Sequence, residues 1–308
     1  MSSTDPDHRA LSALDGASVW LNTEPLTSAG LSGRAVLVDF WTYSCINWLR
    51  TLPYVRAWHE RYRDRGLVLI GAHAPEFGFE HELENVRRAT GELDVGYPVV
   101  IDNDFTIWRS FDNHYWPAVY LLDGDGSVVF HHFGEEAYEE TERAIQQLLG
   151  VDEELVRVDA GGLAEAADWG ALRSPETYVG HARGGGRSDG RADGLALNQW
   201  ALGGEWSVGG ESAELDAAGG SIAYRFEGRD LNLVLTPPAS GAQVGFTVLL
   251  DGQPPGDDHG LDTDASGAGT LSEPRMYQLV RQRGAIRART FEMTFLEPGV
   301  RAYVFTFG

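Results

Sequence analysis

A single cysteine, Cys45, stands in this chain of 308 residues, and its surroundings set the chemistry open to it. It lies in WTYSCINW (41–48), between an apolar run, AVLVDFW, and a stretch, INWLRTLPYVRAWHERYRDR, whose apolar residues recur at helical spacing. Strand, short loop and helix therefore put Cys45 in the first turn of a helix. Unpaired backbone N–H groups and the helix dipole there favour the thiolate, the nucleophilic form of the side chain. Such placement lowers a thiol pKa to about 3.5 to 7.5 from its ordinary value near 8.5. The competing reading of a lone thiol is a buried structural cysteine. One cysteine excludes an internal disulfide and a thiolate-rich metal site within one chain, so any thiol partner comes from elsewhere.

Other polar and aromatic residues join the thiol as substrate-pocket candidates. His73 lies at the end of a predicted central strand, GLVLIGAHA, Glu76 follows it, and His114 precedes Trp116-Pro117. A histidine there can accept the thiol proton or relay it, against the commoner role of a hydrogen-bonded structural histidine. Trp41, Trp48, Tyr115 and Trp116 read as walls of an apolar pocket. Thr42 and Ser44 suit capping or local loop hydrogen bonds. His131 and His132 alternate along one strand, so they face opposite sheet surfaces and form no chelating pair.

The elements that position these residues alternate. After the first strand and helix come GLVLIGAHA (66–74), a helical EHELENVRRAT, the strand YPVVID (97–102) and a short helix in DFTIWRSFD. NHYWPAVYLLDGDGSVVFHHFG reads as two strands joined by an Asp-Gly-Asp-Gly turn, closed by the helix EAYEETERAIQQLLG. The pattern implies a mixed sheet with helices on both faces. Residues 8–150 make this α/β domain, 151–173 a linker, and 174–308 an all-β sandwich of short alternating strands beyond a Gly-rich loop at 180–194. At this length two domains are the expectation.

The formal charge is −22, from 24 basic and 46 acidic residues, which argues against nucleic acid and anionic membranes as partners. No apolar stretch approaches the roughly 20 residues of a spanning helix, and the first residues lack the basic and apolar segments of a secretory signal. A cytoplasmic location is the resulting expectation. In the sandwich, Trp200, Trp206 and Tyr224 are candidate stacking platforms for sugars, against the commoner role of core filling. The acidic segment GDDHGLDTDASGAG (256–269) offers clustered carboxylates of the kind that hold a hard cation such as calcium, against the commoner reading of an acidic turn, and no metal is assigned to it.

VDFWTYSCINWLRTLPYV resembles the active-site segment of the TlpA-like, DipZ-related thioredoxin-fold oxidoreductases, and YWPAVYLLD resembles their cis-proline loop. The similarity continues through HAPEFGFE (73–80), IDNDFTIWRSFDNHYWP (101–117) and FGEEAYEETERAIQQLL (133–149). The second half, from SPETYVG through LALNQWALGGEW to YVFTFG, is similar to the β-sandwich that follows in DipZ-like proteins. The resemblance implies a thioredoxin-like fold followed by a jelly-roll-like sandwich, with Cys45 as nucleophile and Pro117 as the cis residue beside it. Those relatives usually carry Cys-x-x-Cys; here Trp48 holds the second position, and it cannot resolve a mixed disulfide. Thr42, three residues before Cys45, also resembles the Thr-x-x-Cys of peroxiredoxins, although Val38 stands where that motif has proline. The catalytic set is thus Cys45, Thr42, Trp48 and Pro117, with no cofactor. Three chemistries follow: thiol-disulfide exchange or peroxide reduction resolved by an external low-molecular-weight thiol or redox partner protein, or binding without turnover. A glycan or protein partner is the expectation for the sandwich.

Overall fold

The structure is a computed structural model and describes residues 8–190 and 192–308. The chain divides after Ala164 into two compact units.

The first unit carries six strands, β1 (Trp20–Leu21), β2 (Ala35–Trp41), β3 (Leu67–His73), β4 (Val99–Ile101), β5 (Ala118–Leu122) and β6 (Val128–Phe133). Its helices are α1 (His8–Ser12), α2 (Ser28–Leu31), α3 (Ile46–Tyr62), α4 (Leu83–Glu92), α5 (Thr106–Ser110) and α6 (Tyr138–Leu149). The sheet order is β1-β4-β3-β2-β5-β6, with β2, β3 and β4 mutually parallel and the other pairings antiparallel. This is the thioredoxin-like mixed sheet.

Strand alternation explains the two faces. Val38, Phe40, Ile70, Ala72 and Val100 enter one core with Phe111 and Tyr120. Asp39 and Trp41 point the other way, where the Asp39 carboxylate accepts from the indole of Trp48 on α3 and Trp41 stacks on that indole. Gly71 pairs in register with Asp39. A Cβ at Gly71 would stand 2.8 Å from Trp41 Nε1 and 2.9 Å from Tyr97 Cε2, so only glycine lets both rings close over the strand.

The chain stays tethered to this unit past residue 150. Glu142 on α6 accepts from Tyr62 Oη at 2.6 Å and from the Val156 amide at 2.9 Å, and Glu153 pairs with Arg61 and Arg65. Much of the segment read as linker is therefore held by polar contacts, which a loose hydrophobic pattern conceals.

The second unit is a sandwich of antiparallel strands: β7 (Thr177–Tyr178), β8 (Trp200–Gly203), β9 (Trp206–Val208), β10 (Ala213–Leu215), β11 (Ser221–Phe226), β12 (Asp230–Thr236), β13 (Val244–Leu250), β14 (Ala268–Leu271), β15 (Arg275–Arg281), β16 (Arg289–Phe295) and β17 (Arg301–Phe307). One sheet runs β15-β12-β17-β10-β9, with β7 also on β17, and the other β14-β13-β16-β11-β8. One apolar core lies between them, including Leu231, Leu233, Phe291, Met293 and Phe305. Trp200 and Tyr224 lie inside that core and Trp206 packs against it, so these rings are not sugar platforms. The acidic segment is occupied by its own side: Asp258 holds Arg289, Asp262 holds Arg275, and Asp264 caps the amides of Ser266 and Ala268 before the chain enters β14.

Candidate active site

Cys45 is the N-cap residue of α3, at φ −80° and ψ 114°, and it is half-buried. Its own amide bonds back to the Thr42 carbonyl, while its carbonyl accepts the Leu49 amide and opens the helix. The first amides of α3 are therefore the dipolar surroundings of the thiol. Opposite stands the loop before β5, where the Trp116-Pro117 peptide bond is cis. Cys45 Sγ lies 3.8 Å from the Trp116 carbonyl oxygen. The Trp116 indole donates to the Ala74 carbonyl at 3.0 Å and packs on Trp108, which fixes the loop laterally.

Two buried carboxyl groups flank this centre, and sequence reasoning assigned a role to neither. Glu80 is wholly buried and accepts from Ser44 Oγ at 2.5 Å and from the amides of Glu76 and Phe77 at 2.6 and 3.0 Å. Burial pushes its pKa up to about 7, opposed first by the Ser44 bond and then by Thr42, whose hydroxyl lies close without a well-aligned hydrogen bond. Asp39 is likewise buried and pushed up to about 7 by desolvation, opposed by the Trp48 indole N–H at 3.0 Å and then by Tyr97. Each carboxyl thus changes charge near neutrality, one through Ser44 next to the thiol and one behind position 48. A lone carboxylate inside AVLVDFW was the signal for Asp39. Glu80 falls in HAPEFGFE but gave no sign of reaching Ser44, 36 residues away.

The structure separates the predicted pocket residues. Cys45, Trp116 and Pro117 come together. Trp41 and Trp48 are fully buried, stacked with centroids 4.3 Å apart, so they plug the core and do not wall an open pocket. The reason is helix phase: position 48 turns inward onto β2, where Asp39 offers the indole N–H an acceptor. His73 is not a proton acceptor for the thiol. It is fully buried between Trp41 and Tyr43, neither ring nitrogen has a hydrogen-bond partner, and desolvation drives its pKa down to about 3. His114 is exposed and faces Asp112 at 3.4 Å. Glu76 contributes its backbone amide to Glu80. Among the described residues no cluster of histidine, cysteine, aspartate and glutamate could hold a metal ion, and no helix is long and apolar enough to cross a membrane.

A thiol at a helix start, facing a cis-proline loop on a mixed sheet, defines a thioredoxin-fold redox domain. Sequence comparison with known proteins agrees. Residues 174–308 match the family described as "Thioredoxin like C-terminal domain". The protein DipZ of Mycobacterium bovis is 35% identical over 257 residues, covering 78% of this chain and 36% of DipZ. The thiol-disulfide oxidoreductase YkuV of Bacillus subtilis is 25% identical over 140 residues, 46% of this chain and 94% of YkuV. Among solved structures, a thioredoxin-like protein in the oxidized form is similar at 26% identity with a TM-score of 0.40, covering 45% of this chain and 92% of that one. The chain is a thioredoxin-fold redox protein with a C-terminal β-sandwich, similar to DipZ over 78% of its length. It spans about a third of the length of DipZ.

Proposed function

We propose that this chain is a single-cysteine thiol-disulfide oxidoreductase that uses an external low-molecular-weight thiol to complete each cycle. One observation carries the reading: Cys45 caps α3 against the Trp116 carbonyl, while the position of a resolving thiol is filled by a buried, hydrogen-bonded tryptophan. The Cys45 thiolate attacks one sulfur of a substrate disulfide, the substrate S–S bond breaks, and the departing thiolate takes a proton. An external thiol then gives up its proton and attacks the substrate sulfur of the mixed disulfide, which returns Cys45 as thiolate and leaves the substrate joined to that thiol. Glu80, titrating near 7 and joined to Ser44, is the nearby reservoir for the Cys45 proton.

Disulfide chemistry is favoured over peroxide reduction because the Thr42 hydroxyl is wholly buried on the Glu80 side. The requirement for a small thiol suits a reducing, cytoplasmic setting. For the sandwich, the place to seek a glycan or protein partner is an open cavity of about 460 Å³ over β8, β11 and β16, bordered by Asp189, Asp193, Ser221 and Glu292. The test of the redox reading is insulin reduction with increasing glutathione. Turnover is expected to rise with glutathione and to vanish in Cys45→Ser, since serine is a far poorer nucleophile. Equal turnover in that variant would leave a binding scaffold as the better description.

A further inference from the structure

Beyond Cys45, α3 also reaches the turn after β6, which is bonded to the cis-proline loop. Arg50, one turn and a half beyond Cys45, places Nη1 2.9 Å from Glu135 Oε1, with the two side chains only 2% and 6% exposed. Glu135 follows Gly134, whose amide donates to the Pro117 carbonyl at 2.8 Å. Pro117 follows Trp116, whose carbonyl meets Cys45. The contacts close a ring from Cys45 through Trp116, Pro117, Gly134, Glu135 and Arg50 back along α3.

The segment beyond β6 needs such a hold. Gly134, Glu136 and Ala137 adopt φ values of +87°, +74° and +47°, and the last two carry side chains. Residues with a Cβ keep that conformation only where their surroundings over-determine it. The surroundings here are α3 again: Tyr54, four residues after Arg50 on the same helix face, stacks on Tyr138 with centroids 3.7 Å apart and planes 8° apart. The Glu135 carbonyl is tied in turn to His132 Nε2 at 3.0 Å.

We propose that Arg50 and Glu135 are a positioning pair that sets the height of the Trp116-Pro117 loop over Cys45, and through it the balance between holding the thiol proton and presenting the thiol to a peptide disulfide. The first consequence concerns the thiol alone; the second rests on the redox reading above. A carbonyl accepting S–H favours the protonated sulfur, opposing the helix N-terminus. Releasing the loop frees the thiol for small reagents and misplaces the main chain beside which a peptide must lie.

The test uses the full chain with Arg50→Met/Glu135→Leu, which removes the pair without stranding a buried charge. Alkylation of Cys45 by iodoacetamide at pH 7 should rise about threefold, as expected when a hydrogen bond to the neutral form is lost. Formation of the Cys45 mixed disulfide with insulin, followed by mass spectrometry, should fall about tenfold, as expected for a misaligned attack. Arg50→Lys, which keeps one charged contact with Glu135, should stay within about twofold of the parent in both assays. If the double variant fails to fold, Glu135→Gln takes its place with the same two readouts. A folded variant with both rates unchanged, or with both falling in parallel, overturns the proposal. The alkylation arm stands even if Cys45→Ser shows the redox reading to be wrong, so the two failures are distinguishable.

Discussion

Asp230 in the sandwich and Asp39 and Glu80 in the thioredoxin-like unit are buried in opposite ways. In the sandwich, Asp230 is inaccessible to solvent but is met by Arg281 at 2.6 Å and by Arg229 at 2.6 Å, and both arginines also reach Glu165. In the thioredoxin-like unit, Asp39 and Glu80 are equally buried, yet what meets them is an indole N–H, a hydroxyl and backbone amides. A guanidinium beside a buried carboxylate opposes the cost of burying its charge, whereas burial among dipoles alone pushes Asp39 and Glu80 up to about 7. The first arrangement fixes structure. The second, placed around a thiol, supplies groups able to exchange protons.

Removing what each of these buried carboxylates faces should have the largest effect. Arg281→Met leaves Asp230 with one guanidinium fewer and should lower stability by roughly 3–5 kcal/mol in urea unfolding, with Cys45 alkylation unchanged. Trp48→Ala strands Asp39 and opens a cavity beside Trp41, at a cost of about 3–5 kcal/mol in the same measurement. Trp48→Cys carries a similar penalty, and it places a second thiol three residues from Cys45. Mass spectrometry of the oxidised variant should show an intramolecular disulfide, because the turn of α3 is short enough for one.

Asp39 and Glu80 hold protons in the folded state that the unfolded chain releases near pH 4, and their folded values lie at about 7. Their stabilising contribution is therefore complete below about pH 4 and is lost as the pH rises through 7. Between pH 5 and 8 each group should remove roughly 2–3 kcal/mol of unfolding free energy. Asp39→Asn, which keeps an acceptor for Trp48, should flatten its share of that slope. An unchanged slope would show that Asp39 is ionised throughout. The smallest change is expected from Ser44→Ala, which deletes one hydrogen bond to Glu80 and should cost about 1–2 kcal/mol.

The path from strand to loop to helix was legible because AVLVDFW and the periodic stretch after Cys45 carry their patterns within one continuous segment. The cysteine's place at the helix start followed from that alone. What could not be read was the inward side of the site. Whether Trp48 faces solvent or β2 depends on helix phase to within one residue, and Glu80 meets Ser44 only after the chain has crossed β3. The burial of His73 was hidden for a related reason, since its neighbours Trp41 and Tyr43 come from the adjacent strand and the loop after it. In the sandwich, β8 and β14 span four residues each, too few for alternation to stand out beside Gly-rich and acidic stretches.

In the proposed cycle Cys45 attacks and nothing within the chain resolves the product. The decisive measurement mixes the reduced protein with an excess of insulin, without any small thiol, and follows intact mass over time. A Cys45–insulin mixed disulfide is expected to accumulate to one per chain, to persist, and to be released within the same experiment when glutathione is added. An absent adduct, or one that disappears before glutathione is added, would contradict this cycle.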